Sequence, residues 1–254
     1  MDEILLELAE EPGLWLPPEP RLSVEHRDGF ALVTYGRSAL VQRLRLTEAA
    51  VPSAVEQVRS ALRDKGLGEV TLWVGELSKP ADLATRLAGL GLEPDEPPEM
   101  TTLTIASEPA GAATVEVRRA DTFEEALLAM EIDWEAFGVP EPERARRRTE
   151  AAAAWPLIEA DGRQATFLAY LDGAPVGFGR AIFTPSAAIL LGGATLPEAR
   201  GHGVYTSIVH ARWREAVARG VPRIAVSAGP MSAPILERLG FAPIGRIHLF
   251  RDRV

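Results

Sequence analysis

Four consecutive residues, Arg200, Gly201, His202 and Gly203, carry the clearest chemistry in the chain. They lie between an apolar run at 190–196 and a helix-forming run that starts at Val204. The first amides of a helix have no backbone acceptor and carry the positive end of its dipole, so they favour a phosphate. Glycine at 201 and 203 removes the Cβ atoms that would hold the backbone off the anion and permits positive φ. Arg200 adds a forked cation. An Arg-Gly-x-Gly tetrapeptide alone is common; its place between a buried strand and a strong helix gives it meaning. Two better-known phosphate loops are missing, since there is neither a Gly-x-x-x-x-Gly-Lys-Ser/Thr run nor a Gly-x-Gly-x-x-Gly opening a βαβ unit.

Other residues could assist a proton transfer. Glu131 and Glu135 are four apart and share one face of a helix expected over 123–137, beside Trp134, where they could act as a general base on an ammonium group. The plain alternative is a solvated helix face. Tyr205 could act as an acid, although a tyrosine early in a helix commonly serves packing. His202 is expected to face solvent, and His210, on the polar side of its helix, is expected at the surface. Trp73, Trp134, Trp155 and Trp213 read as core or cleft wall. Arg144, Arg146, Arg147 and Arg148 form a basic cluster that reads as a solvated face. With no cysteine there can be no disulfide, thiolate zinc site or cysteine nucleophile. Four scattered histidines show no paired ligand spacing, so no metal is expected.

The stretch Pro197-Glu198-Ala199-Arg200-Gly201-His202-Gly203-Val204 resembles the Arg/Gln-x-x-Gly-x-Gly/Ala signature of the GNAT superfamily of N-acetyltransferases. The later Ser232-Ala233-Pro234-Ile235-Leu236-Glu237-Arg238-Leu239-Gly240-Phe241 is similar to that family's helix and turn ending in Leu-Gly-Phe. The resemblance covers residues 115–254 and implies an α/β (α+β) chain with a mixed sheet. Acetyl-CoA would be the co-substrate, lying where strands at 190–196 and 223–227 splay apart. Its pantetheine would pair with backbone near Ala194, Thr195 and Leu196, and a strand N–H near Thr195 or Leu196 would hold the oxyanion. Its pyrophosphate would rest on Arg200, Gly201, His202, Gly203, Val204 and Tyr205, with Ser232 completing the contacts. The implied activity is transfer of an acetyl group to a primary amine, of a small molecule, by direct attack on the thioester. Two departures matter. The last small position of the signature is Tyr205, and the tyrosine that often protonates the leaving thiolate falls on Leu236, which cannot. An acyl-CoA-binding sensor or pseudoenzyme without turnover therefore stays open, as does a protein amine as acceptor.

The elements around these residues follow from periodicity and punctuation. A short helix is expected over 4–9, strands over 30–35 and 39–46, a helix over 51–65 closed by Gly66, a strand over 70–74 and a helix over 81–90. A rigid, charged loop is expected over 93–99 before a strand at 101–105. Residues 107–113 form the best linker. Beyond it come a strand at 115–119, helices at 123–137 and 142–158, a hairpin of 165–171 with 175–183, a central strand at 187–195, a helix at 204–219, and strands at 223–227 and 241–249 around a short helix at 233–239. Offsetting the chain by 154 residues places Gly66 on Gly220, Gly75 on Gly229, Ser78 on Ser232 and Pro80 on Pro234. Leu46-Thr47-Glu48-Ala49 then falls on the Arg-Gly-His-Gly loop without a glycine. The expectation is two units: a degenerate, partial GNAT-like domain over 1–110 without the CoA loop, and a GNAT N-acetyltransferase domain over 111–254.

The bulk composition fits this reading. The chain has 254 residues, of which 46% are apolar and 25% charged, an ordinary globular balance. Its formal charge of -9 gives nucleic acid no electrostatic footprint. No apolar run is long enough for a membrane span, and the acidic start does not read as a signal peptide. A cytoplasmic location is the expectation, with a homodimer conceivable and no membrane or nucleic-acid partner.

Overall fold

The computed structural model describes residues 2–254. A first helix, α1 (Glu3–Glu10), precedes β1 (Leu22–Arg27), β2 (Phe30–Tyr35), β3 (Ser38–Gln42), α2 (Val51–Lys65), β4 (Glu69–Val74), α3 (Leu83–Gly89) and β5 (Glu93–Ile105). After an exposed connection come β6 (Glu116–Arg119), α4 (Phe123–Ala136), α5 (Glu141–Asp161), β7 (Gln164–Leu171), β8 (Ala174–Phe183) and β9 (Ala188–Thr195). The chain ends with α6 (Val204–Ala218), β10 (Ile224–Ala228), α7 (Ala233–Arg238) and β11 (Ala242–Arg253).

All strands join one mixed sheet in the order β1-β2-β3-β4-β11-β5-β10-β9-β8-β7-β6. Apart from β6 at one edge, the order is a palindrome. Counted outward from the β11/β5 centre, β4 matches β10, β3 matches β9, β2 matches β8 and β1 matches β7; α2 and α3 precede and follow β4 as α6 and α7 do β10. The 154-residue repeat is thus present element by element. The last strands are exchanged across the centre: β5 pairs antiparallel with β10, and β11 pairs antiparallel with β4. At the centre each half's strands are thus joined by a strand from the opposite half of the chain, which binds the halves through backbone hydrogen bonds as well as packing.

Local signals set the elements that flank the site. Helix α4 starts with a capping box in which Thr122 accepts from the Glu125 amide and Glu125 reaches back to the Thr122 amide. Helix α2 ends at Gly66 in the left-handed conformation. Alternation along β8 and β9 separates two faces. Phe178 and Ala194 pack with Ala129 and Ile132 of α4, whereas added Cβ atoms at Gly177 and Gly179 would meet Val204, Ile208 and Arg212 of α6. Helices α4 and α6 therefore cover opposite faces of the same strands.

Three local expectations are corrected. Residues 93–99 are strand, the first half of β5, despite Pro94, Pro97 and Pro98. That stretch pairs only with β11, across a register shift between His248 and Phe250, so missing N–H groups on the other edge cost little. Strand β1 was not expected, yet Leu22–Arg27 forms a hairpin with β2 around Asp28-Gly29. His210 is not at the surface: it is 6% exposed, because residues 207–213 of α6 are all buried. The incoming segment is fastened to that helix, with the amides of Thr114 and Val115 donating to Ser207 Oγ.

Candidate acetyl-CoA and acceptor site

The loop ahead of α6 has the conformation a phosphate needs. Gly203 is the N-cap residue at φ 78°, and no side chain caps the helix. Among the described residues no acceptor takes the amides of residues 201–206, while the next amide, of Ser207, returns to Gly203 O at 2.9 Å. A Cβ at Gly203 would also overlap Thr114 Oγ1, so glycine is required there by both conformation and contact. Arg200 turns back along the strand end, its Nε 3.4 Å from Thr195 O.

Strands β9 and β10 pair in parallel only at Ala188 with Ile224 and Ile189 with Ala225. Beyond these pairs they diverge, leaving facing edges at 190–195 and 226–228. Of the two oxyanion donors considered, the Leu196 amide is used in the sheet, donating to Val176 O at 2.9 Å. Donors alternate along a strand, so the Thr195 amide turns to the open side. Thr195 Oγ1 is buried without a partner. A β-bulge between Gly179 and Arg180, opposite Gly193 and Leu191, throws Gly192 out at φ 60°. Beneath the bulge, fully buried Arg212 of α6 approaches Arg180 O at 3.3 Å and Gly192 O at 3.5 Å. Burial pushes the pKa of this guanidinium down, partly offset by the nearby Tyr205. The Tyr205 ring packs beside Gly193, with the Arg212 guanidinium 5.9 Å from its centroid. The residues fit a pantetheine pyrophosphate thioester: uncapped amides and Arg200 for the phosphates, an open strand edge for the pantetheine arm, and the Thr195 amide for the carbonyl. Ser232 starts α7 on the other arm of the splay, its Oγ donating to Gly229 O at 3.3 Å. Leu236 is wholly buried in the core under α6 and α7.

The carboxylates of α4 divide. Glu131 is committed to ion pairs with Arg148 and, at 3.9 Å, Arg144. Glu135 is exposed and makes no ion pair. Neither lines the crevice between α4 and the sheet. Asp133 does, together with Ala126, Ala129 and Met130 of α4 and with Thr166, Phe178 and Arg180 of β7 and β8. The crevice has room for about one water molecule, about 10 Å³. Asp133 is half-buried with no hydrogen bond to its carboxylate, and desolvation pushes its pKa up against the pull of Arg180 and Arg147. Sequence reasoning missed Asp133, although Ala126, Ala129, Met130 and Asp133 form one helical stripe ending in a carboxylate. Arg180, a lone charge within an apolar strand, was a second signal.

The corresponding place in the first half is closed. Strands β3 and β4 also start in parallel, at Leu40 with Thr71 and Val41 with Leu72. Their diverging ends are tied by Leu46 N to Lys79 O at 3.1 Å and Lys79 N to Leu44 O at 2.9 Å. The Glu10 carboxylate accepts from the Glu76 and Leu77 amides at 2.6 and 3.2 Å, and buried Gln42 accepts from Gly13 N and donates to Glu10 O. Helix α2 has Pro52 in its first turn, one amide fewer, and no glycine before it. Among the described residues no His, Asp and Glu grouping could hold a metal, and no helix is long and apolar enough to cross a membrane.

Residues 127–241 match the family model described as Acetyltransferase (GNAT) family. A search of curated proteins gives no match. Among solved structures, the chain superposes on a tandem GNAT protein from the clavulanic acid biosynthesis pathway with a TM-score of 0.65 and 16% identity, over 95% of this chain and 86% of that one. A GCN5-related N-acetyltransferase from Kribbella flavida gives 0.67 and 17% identity, over 91% and 89%. One from Sphaerobacter thermophilus gives 0.60 and 17%, over 89% and 80%. At these identities the likeness is one of fold. With the splayed strands and the glycine loop, residues 127–241 form an acetyltransferase domain of the GNAT family, within a chain whose fold is similar to that of a tandem GNAT protein.

Proposed function

We propose that this chain transfers an acetyl group from acetyl-CoA to a primary amine of a small molecule, within the second half of the molecule. The observation that carries the reading is the uncapped, glycine-opened start of α6 beside strands that part after two residue pairs. Residues 1–110 would be a degenerate partial unit, closed at its own splay, and 111–254 the working one. Arg200 and the amides from Gly201 to Tyr205, His202 and Val204 included, would hold the pyrophosphate, with Ala194, Thr195 and Ser232 along the arms. Acetyl-CoA supplies a thioester whose carbonyl the neutral amine attacks; the C–N bond forms, the C–S bond breaks, the nitrogen gives up a proton and the leaving thiolate takes one.

The chain's own groups act around that exchange. The Thr195 amide meets the charge that develops on the carbonyl oxygen. Asp133, directly or through the crevice water, takes the proton from the ammonium, a role its raised pKa suits better than the ion-paired Glu131. Exposed Glu135 would receive that proton on its way to solvent. Tyr205, against Gly193, is the candidate to protonate the thiolate in place of Leu236. The test is thiol release from acetyl-CoA across a panel of amines. Release with an amine and none without supports transfer. Because Leu236 leaves no acid on α7, a CoA-binding sensor is the second reading, and binding without release from any amine would favour it.

A further inference from the structure

Arg180 of β8 is a half-buried arginine with no salt-bridge partner among the described residues. Arg163 binds Asp161 and Arg146 binds Glu143 and Glu150, but Arg180 makes no ion pair or side-chain hydrogen bond, and its Nε is buried without a partner. Its guanidinium lies over the bulge, Nη2 3.0 Å and Nε 3.4 Å from where a Cβ on Gly192 would stand. Any side chain at 192 would displace it. Asp133, also unpaired, shares its crevice. The Arg180 charge is also felt at Glu19 and Tyr35, whose side chains are hydrogen-bonded to each other. Those two residues line a cleft of about 210 Å³ between the first half and α5, with Arg21, Thr149, Glu150 and Ala154.

We infer that Arg180, with Asp133 and Glu19 around it, is an acceptor subsite for a zwitterionic amine, a small molecule carrying a carboxylate as well as the amino group. The inference rests on the acetyl-transfer reading above and names its substrate class. The Arg180 guanidinium and the Asp133 carboxylate both lack an ion-pair partner among the described residues, and Glu19 is held only by the Tyr35 hydroxyl, so neither sign of charge is neutralised by a contact. A polycation would meet Arg180 at short range, and a simple anion would meet Asp133 and Glu19. A zwitterion satisfies both, its carboxylate on the planar guanidinium and its ammonium drawn toward the carboxylates, with its body outside the Asp133 crevice, which has room for about one water molecule only. Burial raises the pKa of Glu19 as it does that of Asp133, so neither carboxylate is well solvated without a ligand. Because Glu19 comes from the first half, that half would contribute to acceptor choice even though its own splay is closed.

The experiment compares straight-chain amino carboxylic acids, with one to five carbons between the two groups, against their carboxamides. Thiol release is measured at saturating acetyl-CoA for the native chain, Arg180→Gln and Arg180→Lys, with melting curves to confirm folding. A charge-assisted bidentate contact predicts roughly 10- to 100-fold higher kcat/KM for at least one acid than for its amide. Arg180→Gln should erase that ratio by lowering the acid alone, and Arg180→Lys should keep part of it. Equal use of acids and amides, or an equal loss of both in Arg180→Gln, overturns the inference and leaves acetyl transfer standing. If no amine releases thiol, calorimetry of the CoA-loaded chain with the same acids decides the subsite separately. Binding of an acid that Arg180→Gln abolishes retains the subsite while the transfer reading falls, and no binding of any acid removes both.

Discussion

Replacing Glu10 by glutamine tests how the first half is closed. The Glu10 side chain is 5% exposed, and burial raises its pKa to about 7, against the opposing hydrogen bonds from the Leu77 and Glu76 amides and the charge of Arg45. In the unfolded chain the same carboxyl titrates near its ordinary value of 4.5. Between those values the folded chain holds a proton that the unfolded chain has lost. The associated stability is therefore complete below about pH 4.5 and is lost as pH rises through 7. A shift of about 2.5 units at about 1.36 kcal/mol each corresponds to roughly 3 kcal/mol. Glutamine has no such titration and can still accept one of the two amides. Urea unfolding of both chains at intervals from pH 5 to 8 should show their difference in stability changing by about 3 kcal/mol in favour of Glu10→Gln. Titrating groups remote from Glu10 cancel in that difference. Parallel curves across the range would show that Glu10 ionises normally and would refute the buried placement of its carboxylate.

Further outcomes follow from the second half. Glu131→Gln should change stability by less than about 1 kcal/mol and leave kcat unaltered, because its pairs with Arg148 and Arg144 are partly exposed. Asp133→Asn should lower kcat by about 10²–10⁴-fold, with the pH profile losing its acidic limb. Tyr205→Phe should lower kcat by about 10²-fold with the KM for acetyl-CoA unchanged; an unaltered kcat would remove Tyr205 as the acid. Leu236→Ala should cost about 2–5 kcal/mol in denaturant unfolding, since the side chain has no exposure.

How far the sequence could be read depended on the range of the interactions involved. The conformation of the Arg200–Gly203 loop was legible because glycines act through backbone conformation within a few residues, and Gly201 and Gly203 have the positive φ expected of them. The repeat was legible because Gly66 and Gly220 end equivalent helices. Strand exchange was not, because nothing local in β5 or β11 says that its partner lies across the centre. The prolines of β5 were misleading: their cost depends on whether a neighbour needs their N–H groups, which pairing alone decides. His210 looked solvated on a helical wheel, but α6 is strapped by the segment at Thr114 and packed on the sheet, so its polar residues are also enclosed. The crevice of Asp133 and Arg180 escaped for a related reason. Asp133 and Arg180 are 47 residues apart and Glu19 belongs to the other half, so only the folded sheet brings their charges within reach.

The central claim is that one anion loop, at the start of α6, holds acetyl-CoA. The most direct measurement is an isothermal titration of the chain with acetyl-CoA beside the Gly201→Glu variant. A Cβ at Gly201 meets nothing within 4 Å, so this substitution adds like charge at the phosphate position and a left-handed strain of about 1–2 kcal/mol without a clash. The account predicts one site per chain, lost in a variant whose melting curve remains cooperative. Undiminished binding by Gly201→Glu, two sites per chain, or no binding by the native chain would contradict it.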